Sequence, residues 1–412
     1  MTEMTDRQFA QIVQILDAIS DEYAQNNKII FANESERARQ HFGSVKRGLK
    51  NWGKSKQCMV PNCGAKSIVR SHAIPKGMSL TAIGESGHVL VPFFDQRNGR
   101  MRLEKTGLAD ATTFPGFCEK HESLFSAFEN KKSIDTESDV ALQIYRAACR
   151  ELFRARFMVE QVDWTFGEYV RARDDGLVRL IRERANAYGL PNDLDFRSFS
   201  MKDDPLLADW EERIYPLREQ AKYLAEHLVP KLEKAVFESD ASGLNVVAMK
   251  VDLEFPVALV GAAPFYVNDG GQKMKVVLLV NVVPSVNSTL VLMASSAEAK
   301  AYVDIYVARW TRHILAIVSM IESWMINGTD QWCLRPSVWD AIDSARQSRI
   351  LENILSDSNG IADECDVSIF DELRATLIEK SDVANAQNMT DAYQAYIASE
   401  QRKMRVQQKT KT

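Results

Sequence analysis

The stretch CMVPNC, residues 58–63, determines how this part of the chain folds, together with FPGFCEKH, residues 114–121. Two cysteines separated by four residues, and a cysteine and a histidine separated by two, offer two pairs of ligands for a tetrahedral ion. We therefore predict a Zn²⁺ ion bound by Cys58, Cys63, Cys118 and His121. Four protein ligands leave no open position on the ion, so the predicted role is structural. Ordinary buried thiols are the alternative interpretation.

The segments around the two pairs predict the order of a treble clef. Pro61 and Asn62 favour a tight turn between the first two cysteines, as in a zinc knuckle. Two strand-like runs follow at 89–94 and 101–103, and Asn98-Gly99 between them predicts a hairpin. Apolar residues at helical spacing after His121 place the second ligand pair on the first turn of a helix.

Length and composition indicate a globular protein with more than one domain. The chain has 412 residues, of which 45% are apolar and 26% charged. Six cysteines are too few for a disulfide scaffold of this length, which favours metal binding in a reducing cytoplasm. The N-terminus lacks the pattern of a signal peptide, and charges interrupt the most apolar helical stretch, Tyr302–Met325. A cytoplasmic location without a membrane span is expected.

The remaining chain predicts a helical region followed by a sheet. Helical periodicity dominates from about Thr136 to Ser239, and strand-like runs rich in Val and Leu follow. The predicted fold class is α+β and predominantly helical, with a treble-clef (ββα-metal-like) zinc module, a helical region and a small β-sheet domain. The predicted division is 1–53 for N-terminal helices and a basic linker, 54–133 for the module, 134–240 for the helical region and 241–412 for an α/β C-terminal domain. The predicted strand runs are 246–260, 274–283 and 289–293.

A basic segment surrounds the first ligand pair. Residues 41–84 contain eight basic and no acidic side chains, although the whole chain carries a net charge of −5. Such a local excess of positive charge predicts phosphate binding, and so a DNA or RNA partner, with a solvated basic surface as the alternative. The predicted nucleic-acid-binding residues are Lys46, Arg47, Lys50, Lys54, Lys56, Lys66, Arg70 and Lys76.

Between the ligand pairs lies Ser71-His72-Ala73-Ile74-Pro75, and here residues 54–133 resemble the HNH nuclease superfamily. The resemblance implies that His72 is the general base that activates water against a phosphodiester, with Mg²⁺ or Mn²⁺ as a catalytic ion. The family usually has an acidic or imidazole ligand where this chain has Ser71, and an Asn or His after the helical zinc ligands. Glu122 or His88 would have to replace them. A structural hydrogen-bonding role for His72 is the alternative.

The same motifs are also similar to those of bacterial hypothetical proteins found among anti-phage genes. That resemblance implies a role in phage defence, with a possible protein partner in a defence complex. Two functions therefore follow from the sequence. One is an HNH-like, metal-dependent endonuclease, and the other is a non-catalytic zinc-binding scaffold or sensor subunit that binds nucleic acid or a partner protein.

Overall fold

A computed structural model describes residues 5–36, 47–48, 50–95, 99–188, 205–354, 360–365 and 367–380. The chain divides into two compact units. Unit 1 comprises Met1–Gly53 and Arg154–Lys222, and unit 2 comprises Lys54–Phe153 and Tyr223–Thr412. These units do not coincide with the four segments predicted from the sequence, because the helix that begins at Glu137 contributes residues to both.

Helices dominate the described residues, with about 55% helix and 21% strand, so the predicted mixed α+β class with mostly helical content is confirmed. Short 3-10 turns lie at Asn27–Ile30, Ser123–Phe125 and Ala297–Ala299, and π-helical turns at Lys76–Leu80, Leu224–Leu228 and Trp324–Gly328. Within the described part of the chain, no helix combines the length and apolar character needed to cross a membrane. The α-helices are α1 (Asp6–Gln25), α2 (Thr81–Ile83), α3 (Glu119–Glu122), α4 (Ser126–Lys131), α5 (Glu137–Ala187), α6 (Pro205–Tyr223), α7 (Val229–Phe237), α8 (Lys300–Trp310), α9 (Ile314–Ser323), α10 (Pro336–Asp340), α11 (Ser344–Asn353) and α12 (Asp371–Lys380).

Unit 1 is helical in its described residues. The apolar face of α1 packs on the last third of α5, where Ile15 and Ile19 meet Leu177 and Ile181. Gly176 is required there, because a Cβ atom at this position would lie 2.2 Å from the carbonyl oxygen of Ile30. This packing explains the helical apolar spacing near the N-terminus.

Unit 2 is built on a seven-stranded antiparallel sheet with strand order β3-β2-β9-β6-β7-β8-β5. A separate two-stranded sheet pairs β1 with β4. The strands are β1 (Ser71–His72), β2 (His88–Asp95), β3 (Arg100–Gly107), β4 (Thr113–Phe114), β5 (Leu244–Val251), β6 (Val257–Asp269), β7 (Gln272–Ser285), β8 (Ser288–Ser296) and β9 (Trp332–Leu334).

Two sequence predictions about this sheet were wrong. The predicted run 246–260 is two strands, since residues 252–256 leave the sheet between β5 and β6. The sheet is also not confined to the C-terminal region. The β2–β3 hairpin joins it through β9, which pairs with Leu90 on one side and with Val257–Leu259 on the other. A strand of three residues is too short for periodicity to reveal. Asn98 of the predicted hairpin turn lies outside the described residues.

The two faces of the sheet are covered differently. One face carries the main apolar core, where Leu278 and Val280 pack with Trp310 of α8 and Ile321 of α9. On the opposite face, Asn281 of β7 accepts a 3.0 Å hydrogen bond from Gln143 of α5, whose Nε2 also donates to the carbonyl oxygen of Ala73 at 3.1 Å. This amide contact connects the sheet, α5 and the segment after β1.

Helix α12, the last helix in the described residues, is held by a buried carboxylate. Glu322 on α9 accepts hydrogen bonds from the Ser368 hydroxyl at 2.7 Å and from the backbone N–H groups of Ile369 at 2.8 Å and Phe370 at 3.0 Å. Its second oxygen lies 2.7 Å from a guanidinium nitrogen of Arg374, and both side chains are 2% exposed. All members of this network have polar partners, as a buried ion pair requires.

Helix α5 begins with a reciprocal cap. The backbone N–H of Asp139 donates to the Thr136 hydroxyl at 3.2 Å, and the Asp139 carboxylate accepts from the Thr136 N–H at 3.0 Å and from Lys131 at 2.5 Å. Burial alone would raise the Asp139 pKa, but Lys131 and the Thr136 groups lower it to about 2. The cap fixes the first turns of α5, which carry Gln143.

We expect Asp139→Asn to lower the free energy of unfolding at neutral pH by about 1 to 2 kcal/mol, the usual cost of a lost cap. Because folding depresses the pKa of Asp139 from 3.8 to about 2, this stabilisation is present above pH 3.8 and is lost as the pH falls through about 2. Urea unfolding over that pH range measures it. Glu137→Gln, at a neighbouring exposed carboxylate, is the control. The assignment would be contradicted if the difference in free energy of unfolding between wild type and Asp139→Asn did not decrease as the pH falls.

Candidate metal centre

The four predicted ligands come together in unit 2. Their ligand atoms all lie within 4.8 Å of one another, close enough to hold a metal ion. Cys63 Sγ is 3.9 Å from Cys118 Sγ, and His121 Nδ1 is 3.3 Å from Cys58 Sγ and 3.4 Å from Cys118 Sγ. A zinc tetrahedron has edges of about 3.8 Å between sulfurs and about 3.6 Å between sulfur and nitrogen. The site therefore matches a four-coordinate ion in size and in the type of its donor atoms.

The first pair lies on a short hairpin loop. The Cys58 N–H donates to the carbonyl oxygen of Ala65 at 2.9 Å, and the Cys63 N–H donates to that of Val60 at 3.2 Å. Between them Asn62 has a φ of 60°, a left-handed conformation that asparagine tolerates better than most residues. The turn brings both thiols to one side, as the CMVPNC sequence predicts.

The second pair is positioned by a buried aromatic segment. Phe117 is fully buried and packs edge-on against Phe114 and Phe125. Gly116 leaves room for this arrangement, since a Cβ atom there would lie 2.3 Å from the Phe114 ring. Cys118 is the N-cap of α3 and His121 lies in that helix. The prediction that both residues lie in the first helical turn is correct to within one residue.

Backbone hydrogen bonds lock the two pairs together. The Met59 N–H donates to the carbonyl oxygen of Gly116 at 2.9 Å, and the Cys118 N–H donates to Cys58 Sγ at 3.4 Å. Burial raises the pKa of the Cys58 thiol to about 11. A metal ion binds the thiolate, so occupancy of this site is coupled to release of protons and weakens in acid.

His72 is not one of the residues of the metal cluster. It is half-buried on β1, opposite Thr113 of β4, and its Nε2 is 3.2 Å from the carbonyl oxygen of Leu108. Since a carbonyl only accepts, the ring proton sits on Nε2. Burial lowers the His72 pKa, while Leu108 acts in the opposite direction. The ring is therefore neutral at physiological pH, with its lone pair on Nδ1.

Glu122, predicted as a possible cation ligand, is held by a buried arginine. Arg146 of α5 is 2% exposed and lies 3.1 Å from Glu122 and 2.5 Å from Glu129. Its guanidinium also stacks 4.5 Å from the centre of the Phe125 ring. Burial raises the Glu122 pKa, whereas Arg146 and the Ser71 hydroxyl act to lower it. The carboxylate thus already faces a fixed positive charge.

His88, the other predicted replacement ligand, bonds within its own turn. Its Nδ1 lies 2.7 Å from the carbonyl oxygen of Ser86, at the start of β2. Among the hydrogen bonds of the described residues, none joins His88 to His72 or Glu122.

The predicted basic residues are divided between the two units. In unit 1 Lys50 is exposed, whereas Arg47 is half-buried with its guanidinium 4.2 Å from the centre of the Trp164 ring. Lys46 lies outside the described residues. In unit 2 Lys56 is half-buried, and the exposed side chains are those of Lys54, Lys66, Arg70 and Lys76. Arg70 also forms a surface ion pair with Asp110 at 3.1 Å.

A scan against protein-family models and searches of curated proteins and of solved structures found no match to this chain. The interpretation of the site therefore depends on its own residues. Sequence reasoning missed Arg146, which lies within an apolar helical stripe and resembles a solvated arginine. A charged residue inside the run IYRAAC, residues 144–149, was the only available signal.

Proposed function

We propose that Cys58, Cys63, Cys118 and His121 hold a structural Zn²⁺ ion in an HNH-like treble-clef module, and that the protein binds nucleic acid through this module. The donor set supports zinc, since three thiolates and one imidazole suit it better than Mg²⁺ or Ca²⁺. The observation that carries the proposal is the spacing of the four ligand atoms, all within 4.8 Å.

The secondary structure around the cluster supports the HNH-like part of the proposal. Strands β1 and β4 pair antiparallel, with Ser71 opposite Phe114, and α3 follows β4 with two of the ligands. This pair of strands lies before the metal-binding helix, with the β2–β3 hairpin between its two strands in the sequence. His72 occupies the first strand of this unit, where the resemblance expects the general base.

The surroundings of His72 favour binding over cleavage. A catalytic cation would need the Glu122 carboxylate, and Arg146 already supplies a fixed positive charge at 3.1 Å from it. The guanidinium cannot lose its proton in a protein, so its positive charge stays beside Glu122 at every accessible pH and opposes binding of a metal cation there. In this proposal Arg146 replaces the catalytic ion and connects α5 to the metal-binding helix.

Nucleic-acid binding is supported by charge. Lys54, Lys66, Arg70 and Lys76 are exposed within the same unit as the cluster, and the segment that holds them has no acidic residue. Phosphate contacts made by such side chains release counterions, which makes binding sensitive to salt. The proposed partner is therefore DNA or RNA, and a role in phage defence with a protein partner stays a prediction.

The test is binding of labelled DNA and RNA by the whole protein, measured by fluorescence anisotropy over a range of salt. We expect a triple variant that combines Lys66→Gln, Arg70→Gln and Lys76→Gln to bind duplex nucleic acid more weakly than the wild type. The slope of log K against log salt should fall by about 0.9 for each lost phosphate contact. Lys300→Gln, at an exposed lysine paired with Asp304, is the matched control. No nucleic-acid binding by the wild type at low salt would contradict the proposal.

An HNH-like endonuclease is the second candidate, and the neutral half-buried imidazole of His72 favours it. The same samples incubated with Mg²⁺ or Mn²⁺ distinguish the two. Intact nucleic acid is expected from our proposal. Cleavage that disappears in His72→Ala would instead establish the nuclease.

A further inference from the structure

The strands β6 and β7 extend beyond the rest of the sheet as a two-stranded arm. Within the described residues, β8 pairs with β7 only from Leu279 onward, and β9 pairs with β6 only over Val257–Leu259. Residues 265–276 therefore pair only with each other, from Phe265↔Val276 to Asp269↔Gln272. We call residues 265–276 the β6–β7 arm. Its turn is Gly270-Gly271, both with positive φ.

One face of the β6–β7 arm packs on the protein. Phe265 and Val276 belong to the main core, and Val267 packs against it. Asp269 on this face accepts a 2.5 Å hydrogen bond from the Tyr302 hydroxyl of α8. The arm is thereby anchored, so its other face is held in a defined position.

The outer face of the β6–β7 arm carries an aromatic ring among basic side chains. In an antiparallel pair, opposed residues share a face, so Tyr266↔Lys275 and Asn268↔Lys273 all point outward. All four are exposed, and Tyr266 is 54% exposed. Lys273 Nζ lies 4.4 Å from the centre of the Tyr266 ring. No acidic residue lies on this face of the arm.

The same sheet face leads toward the proposed nucleic-acid-binding module. Farther along β7, Asn281 contacts Gln143, and the π-helical turn Lys76–Leu80 and helix α2 pack against β7. Lys76 is one of the exposed basic residues of that module. Between Lys275 and Asn281, Val277 and Leu279 on this face are buried, so the outer face of the arm and Lys76 are separate exposed surfaces.

We infer that the outer face of the β6–β7 arm, formed by Tyr266, Asn268, Lys273 and Lys275, is a binding platform for single-stranded nucleic acid. The inference rests on the proposed nucleic-acid-binding function and adds the class of strand. An unpaired base stacks on the Tyr266 ring, and phosphates contact the two ammonium groups. Bases in a duplex are already stacked on their neighbours, so a protruding ring cannot use them in this way.

The test compares a labelled single-stranded oligonucleotide with its duplex, using the full chain and fluorescence anisotropy. Tyr266→Ala should weaken single-strand binding about 5- to 100-fold, the usual effect of losing one stacked base. Tyr266→Phe keeps the ring and should bind like the wild type. Lys273→Gln with Lys275→Gln should reduce the salt slope by about 0.7 per contact. Met274→Ala, on the other face of the same hairpin, is the control.

Two outcomes would overturn the inference. One is unchanged single-strand binding in Tyr266→Ala, and the other is an equal loss of duplex binding, which would indicate a general electrostatic effect. If the arm variants bind normally while the Lys66, Arg70 and Lys76 variant does not, the proposed function stands and this inference fails. If the wild type binds no nucleic acid, both fail. Photocrosslinking of a bromouracil-containing oligonucleotide, mapped by mass spectrometry, should place the crosslink at Tyr266.

Discussion

Loss of the metal is expected to unfold the loop that holds the first ligand pair, residues 58–63, and to release it from α3. Cys118→Ser should abolish metal binding, because its Sγ lies beside both Cys63 and His121 and its N–H donates to Cys58 Sγ. Structural zinc contributes apparent folding free energy on the order of 10 kcal/mol in small metal-dependent domains. The measurements are elemental analysis, expected to give one zinc per chain, and thermal unfolding with and without a chelator.

Cys149→Ala provides the control, since this buried thiol lies outside the cluster and its loss should leave the metal content unchanged. Replacing zinc with Co²⁺ should give the absorption of a tetrahedral thiolate complex. Wild-type protein that is fully folded and purifies without metal would contradict the assignment of the site.

Breaking the buried ion pair at α12 is the second large effect expected. Arg374→Met removes the guanidinium 2.7 Å from Glu322 while keeping most of the side-chain volume. The Glu322 carboxylate is then buried without its counter-charge, which typically costs about 3 to 5 kcal/mol. Chemical denaturation of the variant should show this decrease in the free energy of unfolding.

A double-mutant cycle distinguishes the pair from a simple packing loss. Glu322→Gln alone removes the charge but keeps an acceptor for the N–H groups of Ile369 and Phe370. In Glu322→Gln with Arg374→Met no buried charge remains, so the double variant should be more stable than the sum of the two single effects predicts. Additive effects would show that the pair is not the source of the stability.

The ligand set could be predicted from the sequence because its chemistry is local. Cysteine and histidine residues at close spacing in the sequence indicate ligands of one ion. The ligand atoms of all four predicted residues lie within 4.8 Å of one another. The surroundings of His72 could not be predicted in this way. The partner of Glu122 is Arg146, 24 residues away on another helix, and the acceptor for His72 is a backbone carbonyl 36 residues away. Neither contact can be recognised from the spacing of residues along the sequence.

The same reasoning applies to the sheet. Strands β7 and β8 match predicted runs because long stretches of Val and Leu are visible as buried strands. Strand β9 has only the three residues Trp332, Cys333 and Leu334, and its role comes from its place between β2 and β6. Topology of this kind depends on pairing between distant segments, which composition does not encode.

The position of β9 has a consequence for how the chain is made. The β2–β3 hairpin is synthesised early, but the strand that joins it to the sheet, through Leu90 and Leu334, emerges over two hundred residues later. Until then the edge of β2 exposes unpaired backbone groups and apolar side chains, a surface on which other nascent chains can pair. Contacts of such large sequence separation also slow folding. The segment 54–133 is therefore continuous in sequence but is completed only after the C-terminal part of the protein has left the ribosome.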